Sequence, residues 1–331
     1  MIEALAPLRS ANVFSHFDKT LFDHLASVAV SRSAPRGARV YRAGDASDSL
    51  ICILDGIVCL ERQTPNGPFA VGHRGKSDLV GDVGFVLGGE RYCDARCERD
   101  CEFLILDRAD LGVLLAADPA VELPFYWALW KSLSGKLRVT NGLIAGFFDR
   151  KGAAPQDIAS SSSASADTSI RVDISAKRHL FEEQSLSTME INFLAALSRE
   201  ERFAPGQLIF SEGEDGDSMY VVLDGQVMIS KFVSGAGEEA LDFIGRGDYF
   251  GEMALIDHQP RSAFAKAHQQ GAVVLAIPKD VLEGILDIHR VSSIRLLKIL
   301  CNLVARRLRQ SEEKLLGWYL LSGGAPGGTT A

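Results

Sequence analysis

Ile51-Cys-Ile-Leu-Asp-Gly-Ile-Val-Cys-Leu60 returns later in the chain as Tyr220-Val-Val-Leu-Asp-Gly-Gln-Val-Met-Ile229. Each copy alternates apolar side chains around a central Asp-Gly, the pair that tolerates the positive φ of a two-residue turn, so each predicts two short strands joined as a hairpin. Gly56 and Gly225 are 169 positions apart, and the likeness spreads outward at nearly that spacing. Upstream, Ala34-Pro-Arg-Gly37 and Ala204-Pro-Gly206 mark turns, and Tyr41-Arg-Ala-Gly-Asp45 mirrors Phe210-Ser-Glu-Gly-Glu214. Short strands and Gly-rich turns recur at jelly-roll spacing. Helical periodicity then follows each β-rich stretch, from Ala116 to Leu143 and from Pro278 to Leu316. The expected fold class is α+β: two jelly-roll β-barrels, each flanked by helices, with a long helix closing the second. Residues 159–169, Ser-rich and almost without large apolar side chains, predict a flexible linker. The expected domains are therefore 1–150 and 177–321, joined by a linker over 151–176, with a Gly-rich disordered tail over 322–331.

The chemistry is concentrated in Asp248-Tyr-Phe-Gly-Glu-Met-Ala-Leu-Ile-Asp-His-Gln-Pro-Arg-Ser-Ala263. Gly251 lets backbone approach a ligand closely, and a short helical turn begun by Glu252-Met-Ala-Leu255 would aim free N–H groups at an anion. Arg261 adds a forked, permanently charged donor suited to two phosphate oxygens. Glu252 is wrong in sign for a phosphate, so its natural partner is a hydroxyl such as a ribose 2′-OH. These ingredients suit a cyclic sugar phosphate, which carries one negative charge.

On these residues the chain resembles the cyclic nucleotide-binding domain family, whose phosphate cassette reads Phe-Gly-Glu-Leu/Met-Ala-Leu, a variable turn, then Pro-Arg-Ser/Ala-Ala. The resemblance implies ligand contacts from Phe250, Gly251, Glu252, Met253, Ala254, Arg261, Ser262 and Ala263, with a cyclic mononucleotide as ligand and no cofactor. The step from Glu252 to Arg261 is similar to that of regulatory subunits of cyclic AMP-dependent protein kinase. The helix Ala305–Lys314 resembles the long dimer helix of bacterial catabolite activators, in which Ser311 would contact the adenine. This implies cyclic AMP. Ser262, which could also meet the 2-amino group of a guanine, keeps cyclic GMP open.

The first copy carries an altered cassette. At an offset of 170, Asp82 stands for Glu252 and Arg91 for Arg261, following Gly81. Asp82 is one methylene shorter, Glu90 replaces Pro260 and is placed to neutralise Arg91, and bulky Tyr92 replaces Ser262. Gly81, Asp82, Arg91 and Tyr92 thus form a second, degenerate candidate site. A structural domain is the simpler expectation for it, and a different anion such as a cyclic dinucleotide the other.

Composition narrows the rest. The 331 residues are 47% hydrophobic and 24% charged, enough for two cores. A net charge of -8 is wrong for a surface that coats nucleic acid. Glu3, Pro7 and Arg9 interrupt any signal-peptide core, and no stretch has membrane-spanning length, so a cytoplasmic protein without membrane contact is expected. Six cysteines predict buried thiols, with Cys93, Cys97 and Cys101 on one strand face and too far apart to share a metal. No His-x-His pair suggests a metal-dependent cupin and no catalytic arrangement is apparent, so neither a metal nor an enzyme is expected. Ile294, Leu297, Leu300, Val304, Leu308 and Leu315 form one apolar stripe, to be covered by the chain's own barrel or by a homodimer partner helix. Arg306, Arg307 and Arg309 are expected on its solvated face. Only a Gly-rich tail follows Leu321, which argues against a helix-turn-helix and DNA contact and for a separate protein partner, with a transcription regulator or kinase inhibitor as alternatives.

Overall fold

The computed structural model describes residues 8, 11–147, 174–183, 188–233, 236–286 and 294–322. Most of the expected linker and tail therefore lies outside the described residues. Two compact units emerge: Met1–Leu133 with Val304–Ala331, and Ser134–Leu303. Each takes part of two long helices.

The first unit opens with α1 (Lys19–Val28), whose N-terminus is capped by Asp18 accepting from the Leu21 N–H at 2.7 Å. Its strands are β1 (Ala29–Ala34), β2 (Arg39–Tyr41), β3 (Ser49–Asp55), β4 (Val58–Thr64), β5 (Gly67–Arg74), β6 (Leu79–Val80), β7 (Asp94–Cys97) and β8 (Cys101–Asp107). Helix α2 (Asp82–Leu87) interrupts the strands, and α3 (Arg108–Ala117) and α4 (Pro119–Ala145) follow them. The strands form two four-stranded antiparallel sheets, ordered β1-β8-β3-β6 and β2-β7-β4-β5. They make a jelly-roll sandwich rather than a closed barrel. Ile51, Ile53, Val58, Leu60 and Phe103 fill its core, alongside Cys93, Cys97 and Cys101.

The second unit holds α5 (Ile174–Glu183), α6 (Thr188–Leu197), β9 (Arg199–Phe203), β10 (Leu208–Phe210), β11 (Ser218–Val233), β12 (Gly237–Ile244), β13 (Tyr249–Phe250), α7 (Glu252–Asp257), β14 (Phe264–Pro278), α8 (Lys279–Ile285) and α9 (Ile294–Leu321). The helix α9 passes into the first unit at Val304. Its strands join in one bent six-stranded sheet in which β11 and β14 run as 16- and 15-residue strands. Phe210, Tyr220, Val222, Val227, Phe250 and Val274 form the core. Burying each such side chain contributes roughly 1.5–3 kcal/mol.

The Asp-Gly pairs are not hairpin turns. β3 pairs with β8 and β6 while β4 pairs with β5 and β7, so Asp55-Gly56 is a corner at which the chain leaves one sheet for the other. In the second copy β11 runs straight through Asp224-Gly225, with register shifts between Val222 and Asp224 and between Gly225 and Gln226. The glycine serves close backbone approach as much as turning: a Cβ on Gly225 would lie 2.2 Å from the Gly271 carbonyl oxygen.

All six cysteines are buried thiols, but Cys97 and Cys101 sit on successive strands rather than on one, and the Cys101 thiol donates to the Ile57 and Arg99 carbonyls. Burial pushes the Cys52 thiol up to about 12. The apolar stripe of α9 is buried within the single chain, at Leu297, Leu300, Val304, Leu308 and Leu315. On the same helix Arg306 and Arg309 are exposed, the latter paired with Glu313 at 3.3 Å, whereas Arg307 is buried. Among the described residues no helix is long and apolar enough to cross a membrane.

Candidate functional site

In the second unit the strand β13 ends at Phe250 and α7 begins at Glu252, so Gly251 must turn the chain sharply. It does so in the left-handed region at φ 77°. Position 251 also has no room for a side chain, since a Cβ there would stand 2.7 Å from Arg261 Nη1. The Phe250 ring stacks on Tyr220 at 5.1 Å and 19°, anchoring the start of the cassette in the core. Met253 and Ala254 are buried on α7, and Ala263 is buried beside β14.

Arg261 and Glu252 are both nearly inaccessible, at 4% and 1% exposure. The guanidinium donates from Nη1 to the Gly251 carbonyl at 2.5 Å and from Nη2 to the Ser218 carbonyl at 2.7 Å. It also lies 4.2 Å above the Phe210 ring. Its Nε–H is buried with no hydrogen-bond partner among the described residues. Burial lowers the Arg261 pKa, against the opposing charges of Tyr220, Asp217, Glu252 and Glu214. Two of this cation's five N–H donors are taken by backbone carbonyls, which hold it in place, and the others, the buried Nε–H among them, are left for a ligand. A bound anion would satisfy both the charge and the donor. The Ser262 hydroxyl donates to Met253 Sδ at 3.7 Å, and its carbonyl accepts from Lys231 Nζ at 3.0 Å.

The first cassette has the same backbone and holds its arginine in the same way, with the Arg91 Nε–H also buried without a partner among the described residues, but its other side chains differ. Gly81 is left-handed at φ 84°, and Arg91 donates to the Gly81 carbonyl at 3.2 Å and to the Ser49 carbonyl and hydroxyl at 2.5 and 3.0 Å. Arg91 lies 4.5 Å over Tyr41, as Arg261 does over Phe210. Glu90 is exposed and bridges to Ala46, so the neighbouring Arg91, turned inward, finds its partners elsewhere. Asp82 is 3% exposed and accepts from the Ser132 hydroxyl of α4 at 2.8 Å. Tyr92 is only partly exposed in its position before β7, and burial first, with the nearby Glu312 charge of α9 second, pushes its phenol well above the ordinary value.

Ser311 is buried on the part of α9 that belongs to the first unit. The second cassette is met by Arg138, on the part of α4 from Ser134 onward that belongs to the second unit. Its guanidinium grips both Asp257 oxygens at 2.7 and 3.0 Å and donates to the Pro260 carbonyl at 2.8 Å. No local pattern marks this residue, which lies 119 positions from its partner. Arg138→Ala is expected to lower stability by about 1–3 kcal/mol, because Asp257 and Pro260 lose their donor. A double-mutant cycle with Asp257→Asn should return a coupling of about 1 kcal/mol or more, and additive losses would count against the clamp.

The cyclic nucleotide-binding domain family matches residues 31–118 and 200–289. Among curated relatives, the CRP-like cAMP-activated global transcriptional regulator of Mycobacterium tuberculosis is 31% identical over 130 residues, covering 38% of this chain and 56% of the regulator. The chain thus spans little more than half the length of that relative. The cAMP-dependent protein kinase regulatory subunit of Mycosarcoma maydis is 31% identical over 110 residues, 30% of this chain and 20% of that protein. Of solved structures, the regulatory domain of Toxoplasma gondii PKA with cAMP aligns at TM-score 0.32 and 19% identity, over 89% of this chain and 94% of that one. With both jelly rolls matched, each around a glycine turn and a buried arginine, the chain belongs to the cyclic nucleotide-binding domain family and carries two copies of the domain.

Proposed function

We propose that the second unit binds a cyclic purine mononucleotide, cyclic AMP before cyclic GMP, and that the protein is a regulator that passes this signal to a protein partner without chemistry of its own. The observation that carries the reading is Arg261, a buried cation whose Nε–H has no partner among the described residues, set against the left-handed Gly251 turn. In this reading Arg261 and the N–H groups of α7 take the phosphate and Glu252 takes the ribose 2′-OH. Phe250, Met253, Ala254 and Ala263 shape the cassette, and Ser262 meets the phosphate or the base. Arg91 likewise keeps a buried Nε–H without a partner among the described residues, so the first unit is read as structural from its other side chains, the shorter Asp82 engaged by Ser132 and the bulky Tyr92 in place of Ser262.

Calorimetric titration of the full chain with cyclic AMP, cyclic GMP, 2′-deoxy cyclic AMP and a cyclic dinucleotide tests this. One site per chain is expected, tightest for cyclic AMP. The 2′-deoxy analogue should bind roughly tenfold or more weakly, because one charge-assisted hydrogen bond contributes about 1.5–3 kcal/mol. Two sites per chain would overturn the structural reading of the first unit, and no heat with any ligand would overturn the whole.

A further inference from the structure

A second cluster of donor side chains stands on the first unit, on the outer face of the β2-β7-β4-β5 sheet. Cys59 on β4 and His73 on β5 are direct partners in the antiparallel register, which sets their Cβ atoms about 4.5–5.5 Å apart. Val58 and Leu60 face the core, so the alternation along β4 turns Cys59 to the opposite face. Across the sheet Cys59 is paired with Arg96 of β7, and Glu98 lies two residues beyond Arg96 on that same side. The Glu98 N–H donates to the Ile57 carbonyl at 2.8 Å, which pins it beside the start of β4.

The three side chains converge. His73 Nε2 lies 3.2 Å from Glu98 Oε1, and the sulfur, ring nitrogen and carboxylate oxygen all lie within 4.8 Å of one another. With metal–ligand bonds of about 2.0–2.1 Å for nitrogen and oxygen, a tetrahedral site has an N···O edge of about 3.3 Å, which the His73–Glu98 spacing already meets. Cys59 is 3% exposed and fixed, while the His73 and Glu98 side chains are 43% and 36% exposed, free to adjust and open to an entering ion. Arg96, a cation on the same face, is engaged by Glu61 at 3.1 and 3.3 Å.

The second copy sharpens the contrast. Met228 and Phe243 are partners in the corresponding register, and His268 follows the strand stretch that pairs with Val227. Those positions carry a thioether and a Phe243–His268 ring contact at 4.9 Å, where the first copy has thiol, imidazole and carboxylate. The shared fold does not require metal-ligating side chains at these positions.

We propose that Cys59, His73 and Glu98 form a zinc-class divalent metal site, with three protein ligands and one position left to water. The thiolate and imidazole select a borderline-soft ion over magnesium or calcium, and the two anionic ligands balance its charge. The ion would tie β5 and the end of β7 to β4, independently of either cassette.

Cobalt(II) titration of the untagged, chelator-treated full chain tests this. The expected result is one cobalt per chain, with a thiolate-to-cobalt charge-transfer band and tetrahedral visible bands, both displaced by one equivalent of zinc. Cys59→Ser should remove the charge-transfer band. His73→Ala and Glu98→Gln should each weaken binding beyond the ~10–100-fold lost with outer-shell partners. Because Cys59 is buried and its variant can misfold, the two exposed positions decide alone if it does. Zinc should raise the thermal midpoint of the wild type and not of His73→Ala. Absence of the band in the wild type, its persistence in folded Cys59→Ser, or unchanged affinity in His73→Ala would overturn the proposal.

Discussion

Arg261→Leu is expected to abolish measurable cyclic nucleotide binding, while Arg91→Leu leaves the titration at its wild-type affinity. Two charge-assisted hydrogen bonds to phosphate contribute about 1.5–3 kcal/mol each, so their loss is about a hundredfold or more in affinity. The site leaves little to compensate. Gly251 has no side chain, and Glu252 repels the phosphate that Arg261 would have neutralised. Arg261→Lys is expected to fall between, keeping a charge but losing the fork that reaches Gly251 and Ser218 together with a ligand. Thermal melts of each variant separate loss of ligand from loss of fold, since Arg261 also satisfies two backbone carbonyls. Wild-type affinity in a folded Arg261→Leu, or a loss confined to Arg91→Leu, would move the site out of the second unit.

Gly225→Ala is expected to destabilise the second unit by about 3 kcal/mol or more, a large part of the 5–15 kcal/mol that holds a domain together. Two costs combine. At φ 77° an alanine is strained by about 1 kcal/mol, and its Cβ would lie 2.2 Å from the Gly271 oxygen and 3.0 Å from Ala272 Cα. Both obstacles are backbone of the paired strand, so relief requires β11 and β14 to part. Gly271 is itself left-handed at φ 91°, and a Cβ there would meet the Phe203 carbonyl at 2.6 Å, so three strands meet at this corner. Gly237→Ala provides the control. It has φ 87° but nothing within 4 Å, so only the strain of about 1 kcal/mol applies. Equal shifts in unfolding midpoint for the two variants would refute the close-approach argument.

Much of this molecule is legible in local pattern because much of it is locally determined. The alternation around Asp-Gly, the turn glycines and the cassette spacing all concern neighbours in sequence, and the structure places Phe250, Gly251, Glu252 and Arg261 together as that spacing implies. The Asp-Gly pairs mark the limit. Asp-Gly flanked by alternating residues suits a tight turn and a sheet corner equally, and only the pairing of β3 and β4 with different partners decides between them. The cysteines mark it again: their even spacing suits one strand face, but a turn between Cys97 and Cys101 puts them on two successive strands.

What the sequence determined by itself is the repeated jelly roll and the makeup of its two cassettes, because glycine turns, strand alternation and the reach from glycine to arginine act over a few residues. Which helix meets which cassette was decided only by tertiary structure. Helices α4 and α9 are 27 and 28 residues long, and the compact units divide each of them, so Arg138 reaches Asp257 while Ser311 and Glu312 lie in the first unit. The Cys59, His73 and Glu98 cluster belongs to the same category, since its members come together through strand register across three strands, and register is a property of the folded sheet.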